Sequence, residues 1–199
     1  MAIVKTISEI LAIQTLAAGA FKKSTDIDVT TAISCDFFFS FAPNATTDPD
    51  FSTQMLIEGS MDPSGQYSWV LLGNIGSGND AATSNTLDSA LAVGATVMPE
   101  TAASTAIAPV NSWIFIRNAI LANSEWKKIK KVNAGVSYEF YDAIQFAQSV
   151  GQTWFNKGIQ EVINIDTQGW KRLRVNVWNN FGQINRDCVL KVKMIKSEG

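Results

Sequence analysis

From Ile27 to Phe41 the chain alternates strictly enough to restrict its fold. The odd positions are Ile27, Val29, Thr31, Ile33, Cys35, Phe37, Phe39 and Phe41, and the even ones include Asp28, Thr30, Ser34, Asp36 and Ser40. A period of two puts the first set on one side of an extended strand, whereas a helical period of 3.6 would scatter it around the axis. The run exceeds the usual strand length of about five or six residues, so a bend or bulge is expected within it. Cys35 falls on the apolar face, where a free thiol behaves as a small hydrophobe.

Other segments repeat the pattern. The stretch "MLIEGSMDPSGQYSWVLLGNI", Met55 to Ile75, reads as two adjacent strands joined by a turn in which Pro63 and Gly65 supply the bends, with Tyr67, Trp69 and Leu71 on one strand face and Trp69 in the core. Leu173, Val175 and Val177 alternate with Arg172, Arg174 and Asn176, and Leu190, Val192 and Met194 with Lys191 and Lys193. Basic residues on the open face of a strand solvate it and discourage edge pairing, or meet an acidic partner. Strands are expected at Asp26–Ala42, Gln54–Gly59, Tyr67–Ile75, Gln160–Asp166, Lys171–Trp178 and Ile184–Ile195. Many strands separated by Gly, Pro, Asn and Asp turns, without regular alternation with helices, predict an all-β protein: an antiparallel, jelly-roll-like β-sandwich.

Two regions break the pattern. Near the start, Ser8 is placed to cap a helix over "EILAIQTLAA", whose apolar residues Ile7, Ile10, Leu11 and Ile13 make a sticky face on an N-terminal arm, residues 1–23. From Ala81 to Pro109 the chain is rich in Ala, Thr, Ser and Asn without either periodicity, a long connection that suits function or ordering against a neighbour. β-like runs follow at Trp113 to Ile116 and Glu125 to Val132. "YDAIQFAQSV" reads as part of a strand region or as a short helix with Ile144, Ala147 and Gln148 on one side. The expected organisation is a sandwich from residues 24–92 and 151–199 with a small β subdomain, 93–150, inserted.

Composition removes whole function classes. Among 199 residues charged ones are 17% and the net charge is −2, so there is no basic field for direct nucleic-acid binding. The N-terminal stretch is too short and polar to span a membrane and poor as a signal-peptide core, which points to a soluble protein made in a cytoplasm-like setting. No histidine is present, which removes Ser-His-Asp and Cys-His nucleophile pairs and histidine metal clusters. Asp26 with Asp28 and Asp48 with Asp50 are the local carboxylate pairs, and both read as solvated turn residues. "GNIGSGND", Gly73 to Asp80, lacks the Gly-Lys-Ser/Thr ending of a phosphate loop, and "NAT" at Asn44 to Thr46 fits the glycosylation pattern with nothing else to indicate secretion. Cys35 and Cys188 read as buried free thiols. No catalytic residue, cofactor or metal site is expected, and no enzyme.

The ordered set "STDIDVTTAISCDFFFSFAPN", "MLIEGSMDPSGQYSWVLLGNI", "IFIRNAILANSEWKKIKKV", "WKRLRVNVWNNFG" and "VLKVKMI" resembles auxiliary capsid proteins of tailed bacteriophages, the cement or decoration proteins. The resemblance runs from Ser24 onward and lies in strand signatures, which carbohydrate-binding sandwiches and tail or fibre modules share. It implies a virion protein on the capsid exterior that binds the major capsid protein and itself, as a homodimer or homotrimer, and braces the shell. Ile7, Ile10, Leu11, Ile13, Trp113, Trp154 and Phe155 are the partner-interface candidates. The alternative is a carbohydrate-binding or receptor-binding module of a tail or fibre, using Trp113, Trp126, Trp154, Trp170 or Trp178 to stack sugars.

Overall fold

The computed structural model describes residues 3–44, 50–51, 53–64, 69–76, 80–81, 84–179 and 187–199. In chain order the strands are β1 (Val4–Leu16), β2 (Phe21–Lys23), β3 (Ile27–Asp28), β4 (Ala32–Pro43), β5 (Asp50–Phe51), β6 (Thr53–Ser60), β7 (Val70–Gly76), β8 (Asp80–Ala81), β9 (Ser84–Thr86), β10 (Val97–Pro99), β11 (Trp113–Ile116), β12 (Glu125–Asn133), β13 (Ser137–Phe140), β14 (Thr153–Asp166), β15 (Arg172–Asn179) and β16 (Cys188–Glu198). Among the described residues the one helical element is a single 3-10 turn, Leu121–Asn123. The all-β, antiparallel class expected from the alternation is the class observed. Two compact units make up the chain: residues 1–40, 52–78 and 161–199 form the first, and 41–51 and 79–160 the second.

The first unit is built from two sheets. One runs β1-β16-β4 and on to the C-terminal part of β14; the other runs β2-β15-β6-β7, with β3 also pairing β15. Alternation buries one row from each strand: Cys35, Phe37 and Phe39 from β4, Met55 and Ile57 from β6, Leu173, Val175 and Val177 from β15, all fully buried. Each such side chain contributes about 1.5–3 kcal/mol by leaving water. A Cβ at Gly73 on β7 would stand 3.4 Å from Ile163 of β14, so the two sheets meet in ordinary van der Waals contact there. Gly59 is a closer approach. A Cβ on it would lie 2.8 Å from the Trp170 indole, and only glycine lets that ring cover β6.

The second unit centres on the sheet β14-β11-β12-β13-β10, with β9 on β14. Both faces of this sheet carry buried side chains, and β11, Trp113–Ile116, is accordingly a continuous apolar run. Ile114, Ile116, Ile129 and Trp154 face a core completed by Met98 of β10 and by Leu87, Leu91, Ala103, Ala108 and Ile144 from irregular segments. On the other face Phe115 lies 4.5 Å from Trp126 and 6.3 Å from Phe155, centroid to centroid, and the Trp126 Nε1–H donates to the Phe41 carbonyl at 2.8 Å.

Several expectations change. No helix forms at Ser8: Val4–Leu16 is a strand paired with β16 from Val4↔Glu198 to Leu16↔Cys188. Its β-branched residues, Val4, Thr6, Ile7, Ile10, Ile13 and Thr15, favour that outcome. The long run from Ile27 is cut in two, because the Asp28 carboxylate accepts the Thr30 N–H at 3.0 Å and turns the chain; Ile33 after the turn is 43% exposed. A register shift between Ile57 and Glu58 leaves Leu72 as the extra residue on β7, so Leu71 points to solvent. Tyr67 and Gly65 lie outside the described residues, as do Ala45 and Thr46 of "NAT" and residues 77–79 of the glycine-rich stretch. The connection from Ala81 to Pro109 packs within its own unit through Leu87, Leu91, Met98, Ala103 and Ala108. "YDAIQFAQSV" is neither helix nor strand; it touches a ladder only at the isolated bridge Leu91↔Gln148.

Candidate interaction surfaces

The sequence candidates separate by burial. Trp154 and Phe155 sit on successive positions of β14 and are buried on opposite faces of the second unit's sheet, and Leu11 is buried in the first unit. All three are core residues and cannot form a partner surface in this fold. Trp154 also donates its Nε1–H to Glu100 at 3.0 Å. Ile10, Ile13 and Trp113 are half-buried, and Ile7 is 69% exposed.

Ile7 belongs to the first surface, the free edge of β1. This strand is the end of its sheet, and among the described residues only β16 pairs with it. Ile3, Val4 and Ile7 are exposed together. Register shifts between Glu9 and Leu11 and between Leu11 and Gln14 distort the second half of the strand. Bulges twist an edge away from further pairing, and the stretch before them has none.

The second surface is the outer face of β15 and its neighbours. Arg174 lies 4.0 Å from the Trp69 ring centroid and its Nε–H donates to Glu58 at 2.5 Å. Asn176 donates to the same carboxylate at 2.6 Å. Trp69 is thus half-buried under a guanidinium and is not in the core. Arg172 is 3.3 Å from Asp28, whose carboxyl is held below its ordinary range first by the Thr30 backbone N–H, then by the Thr30 hydroxyl, with Arg172 adding to it. That acid is committed to a turn and an ion pair. Beyond these charges Trp178 is cross-strand from Phe21, both exposed.

In the second unit the notable chemistry is internal. Lys127 and Glu125 are 2.8 Å apart at 4% and 6% exposure. The ammonium also donates to the Ala143 carbonyl at 2.6 Å, and Glu125 accepts from the backbone N–H groups of Gln145 and Phe146 and from the Gln148 amide. This hub pins the segment that periodicity left ambiguous, and sequence reasoning missed it because the two charges sit two residues apart in an ordinary basic-looking strand. Lys128 lies 5.9 Å from both the Trp113 and the Tyr141 ring centroids, between them. Burial pushes the Glu100 carboxyl above its ordinary range, against the opposing hydrogen bonds from Trp154 and Ala102. Among the described residues no group of three or more Cys, Asp or Glu is placed to hold a metal, and no helix is long and apolar enough to cross a membrane. Of the tryptophans raised as a sugar platform, Trp126 and Trp154 are buried, Trp113 and Trp170 half-buried, and Trp178 is 41% exposed.

No protein-family model and no curated protein sequence matches the chain. Solved structures similar to it include the SPBc2 prophage-derived protein YomS, at TM-score 0.38 and 8% identity, covering 100% of this chain and 96% of that one. The PBSX exported protein XepA gives TM-score 0.26 and 8% identity over 97% and 86% of the two chains. VP17, a capsid protein of bacteriophage P23-77, gives TM-score 0.20 and 9% identity over 100% and 98%. All three likenesses are remote.

Proposed function

We propose that the protein is a non-enzymatic structural part of a tailed-phage virion, a cement or decoration protein that binds the major capsid protein on the head exterior and associates with itself. The observation that carries this reading is β1: a long edge strand, open on one side, with Ile3, Val4 and Ile7 exposed. Such an edge is a liability for a free monomer and an asset for a part that works in an assembly. Repeated moderate contacts over a lattice add up to tight overall binding without any one of them being strong. The strand signatures quoted from Ser24 onward support the same reading. Mixing the purified protein with heads that lack it tests the proposal: co-sedimentation that saturates at a fixed ratio to the major capsid protein is expected, and no co-sedimentation at any concentration overturns it.

The second reading is a carbohydrate-binding or receptor-binding module of a tail or fibre. The observation in its favour is the exposed cross-strand pair Trp178 and Phe21, since flat aromatic faces stack on sugar rings. Glycan-array binding lost in Trp178→Ala would support it, and an array without a binder removes it.

A further inference from the structure

The free edge of β1 has a sequence that complements itself. From Val4 to Ile10 it reads Val-Lys-Thr-Ile-Ser-Glu-Ile. Laid antiparallel against a second copy about Ile7, Lys5 stands opposite Glu9, Thr6 opposite Ser8 and Ile7 opposite its own counterpart. A two-fold axis perpendicular to the sheet keeps each pair on one face, so both Lys5–Glu9 pairs form together and the apolar Ile7 meets its own copy. We propose that two copies of this chain pair edge to edge through Lys5–Glu9 in this register, joining their β1-β16-β4 sheets across a two-fold axis.

Three further observations favour a second copy as the occupant. The register shift between Glu9 and Leu11 leaves Ile10 as the extra residue on β1, so the regular pairing stretch ends at Glu9, where the stretch symmetric about Ile7 from Lys5 also ends. Within it no proline and a single lysine guard the edge. The exposed row already has the charges to receive a copy: Lys5 is exposed, and Glu9, 45% exposed, reaches Lys191 of its own sheet at 3.5 Å, a long contact that a directly opposite lysine supplements. The pairing deepens the self-association in the proposed function. It stands without the capsid, because its test contains no heads.

The test uses sedimentation velocity and cysteine cross-linking on the full chain. The wild type is expected at twice the chain mass at high micromolar concentration. Lys5→Glu, which places two pairs of like charges across the axis, is expected to weaken dimerisation about tenfold or more, and the doubly reversed Lys5→Glu/Glu9→Lys to restore it. Ile7→Cys is expected to oxidise to a covalent dimer, and Ala12→Cys, five residues off the axis, is not. A wild-type monomer or trimer, a Lys5→Glu protein that still dimerises, or failure of the double variant to recover while its circular dichroism matches the wild type overturns the proposal. A dimer of the expected register that ignores phage heads would refute the virion reading and leave this one standing.

Discussion

The two units reach stability by different means. In the first, regular strands send Phe37, Phe39, Leu173, Val175 and Val177 inward, and Arg174 pairs with Glu58 and Arg172 with Asp28 on the outer face, where water still reaches them. In the second, much of the core comes from segments with no regular structure, and these are held by polar groups that are themselves buried: Glu125 with Lys127, Glu100 with Trp154, and the Tyr138 hydroxyl bridging the Ser104 backbone. A strand satisfies its own backbone through its ladder. An irregular segment does so only in places, as between Leu91 and Gln148 and from Ile144 to Ala95, and buried side chains supply further donors and acceptors.

That contrast is open to direct attack. Glu125→Ala would have the largest effect, about 4 kcal/mol, because it strands the Lys127 ammonium and frees the N–H groups of Gln145 and Phe146. Denaturant titration measures it, and Glu125→Gln with Lys127→Met is expected to recover a good part, since the cost lies in the unpaired charge. Leu173→Ala in the first unit should cost about 3 kcal/mol by leaving a cavity, with no partner substitution able to rescue it. Arg174→Ala should cost about 1 kcal/mol, because its ion pair with Glu58 is partly solvated and its stacking on Trp69 is the larger loss. Acrylamide quenching would then reach Trp69 more readily.

The smallest effect is one of sign. The Glu100 carboxyl is raised above its ordinary value of 4.5 by burial, so the folded state holds the proton more tightly than the unfolded chain does. Stability therefore falls as pH climbs from 4.5 through the folded-state value, and Glu100→Gln should flatten that fall. Asp28 in the first unit is lowered from 3.8. Its contribution is present above 3.8 and is lost as pH drops through the folded-state value, so Asp28→Asn should weaken the acid-side slope. Denaturant midpoints measured from about pH 3 to about pH 8 separate the two; equal slopes in both variants would erase the distinction between the units.

The same contrast explains what could be read from the residues alone. The strands at Trp113 to Ile116, Glu125 to Val132 and Lys171 to Trp178 are legible because alternation or apolar runs are local signals. "EILAIQTLAA" after Ser8 reads as a helix because Ile7, Ile10, Leu11 and Ile13 gather on one face, while the β-branched content of Val4–Leu16 argues for the strand that forms. Among the candidate interface residues, Ile7 is exposed, whereas Leu11, Trp154 and Phe155 are buried. An aromatic pair such as Trp154-Phe155 carries no sign of which sheet faces will be covered, and both are. Glu125 and Lys127 escape a reading of the sequence for a related reason: their partners are backbone groups of residues 143–146, roughly twenty positions away along the chain.

Cys35 on β4 and Cys188 on β16 lie in the first unit, fully buried, and burial pushes both thiols up to about 11. At neutral pH only about one such thiol in ten thousand is ionised at any moment. An alkylating reagent thus meets almost no nucleophile until β4 or β16 parts from its neighbours. The rate at which the two sulfurs become labelled is a stopwatch for the opening of that sheet alone, and it runs without any dye or engineered probe.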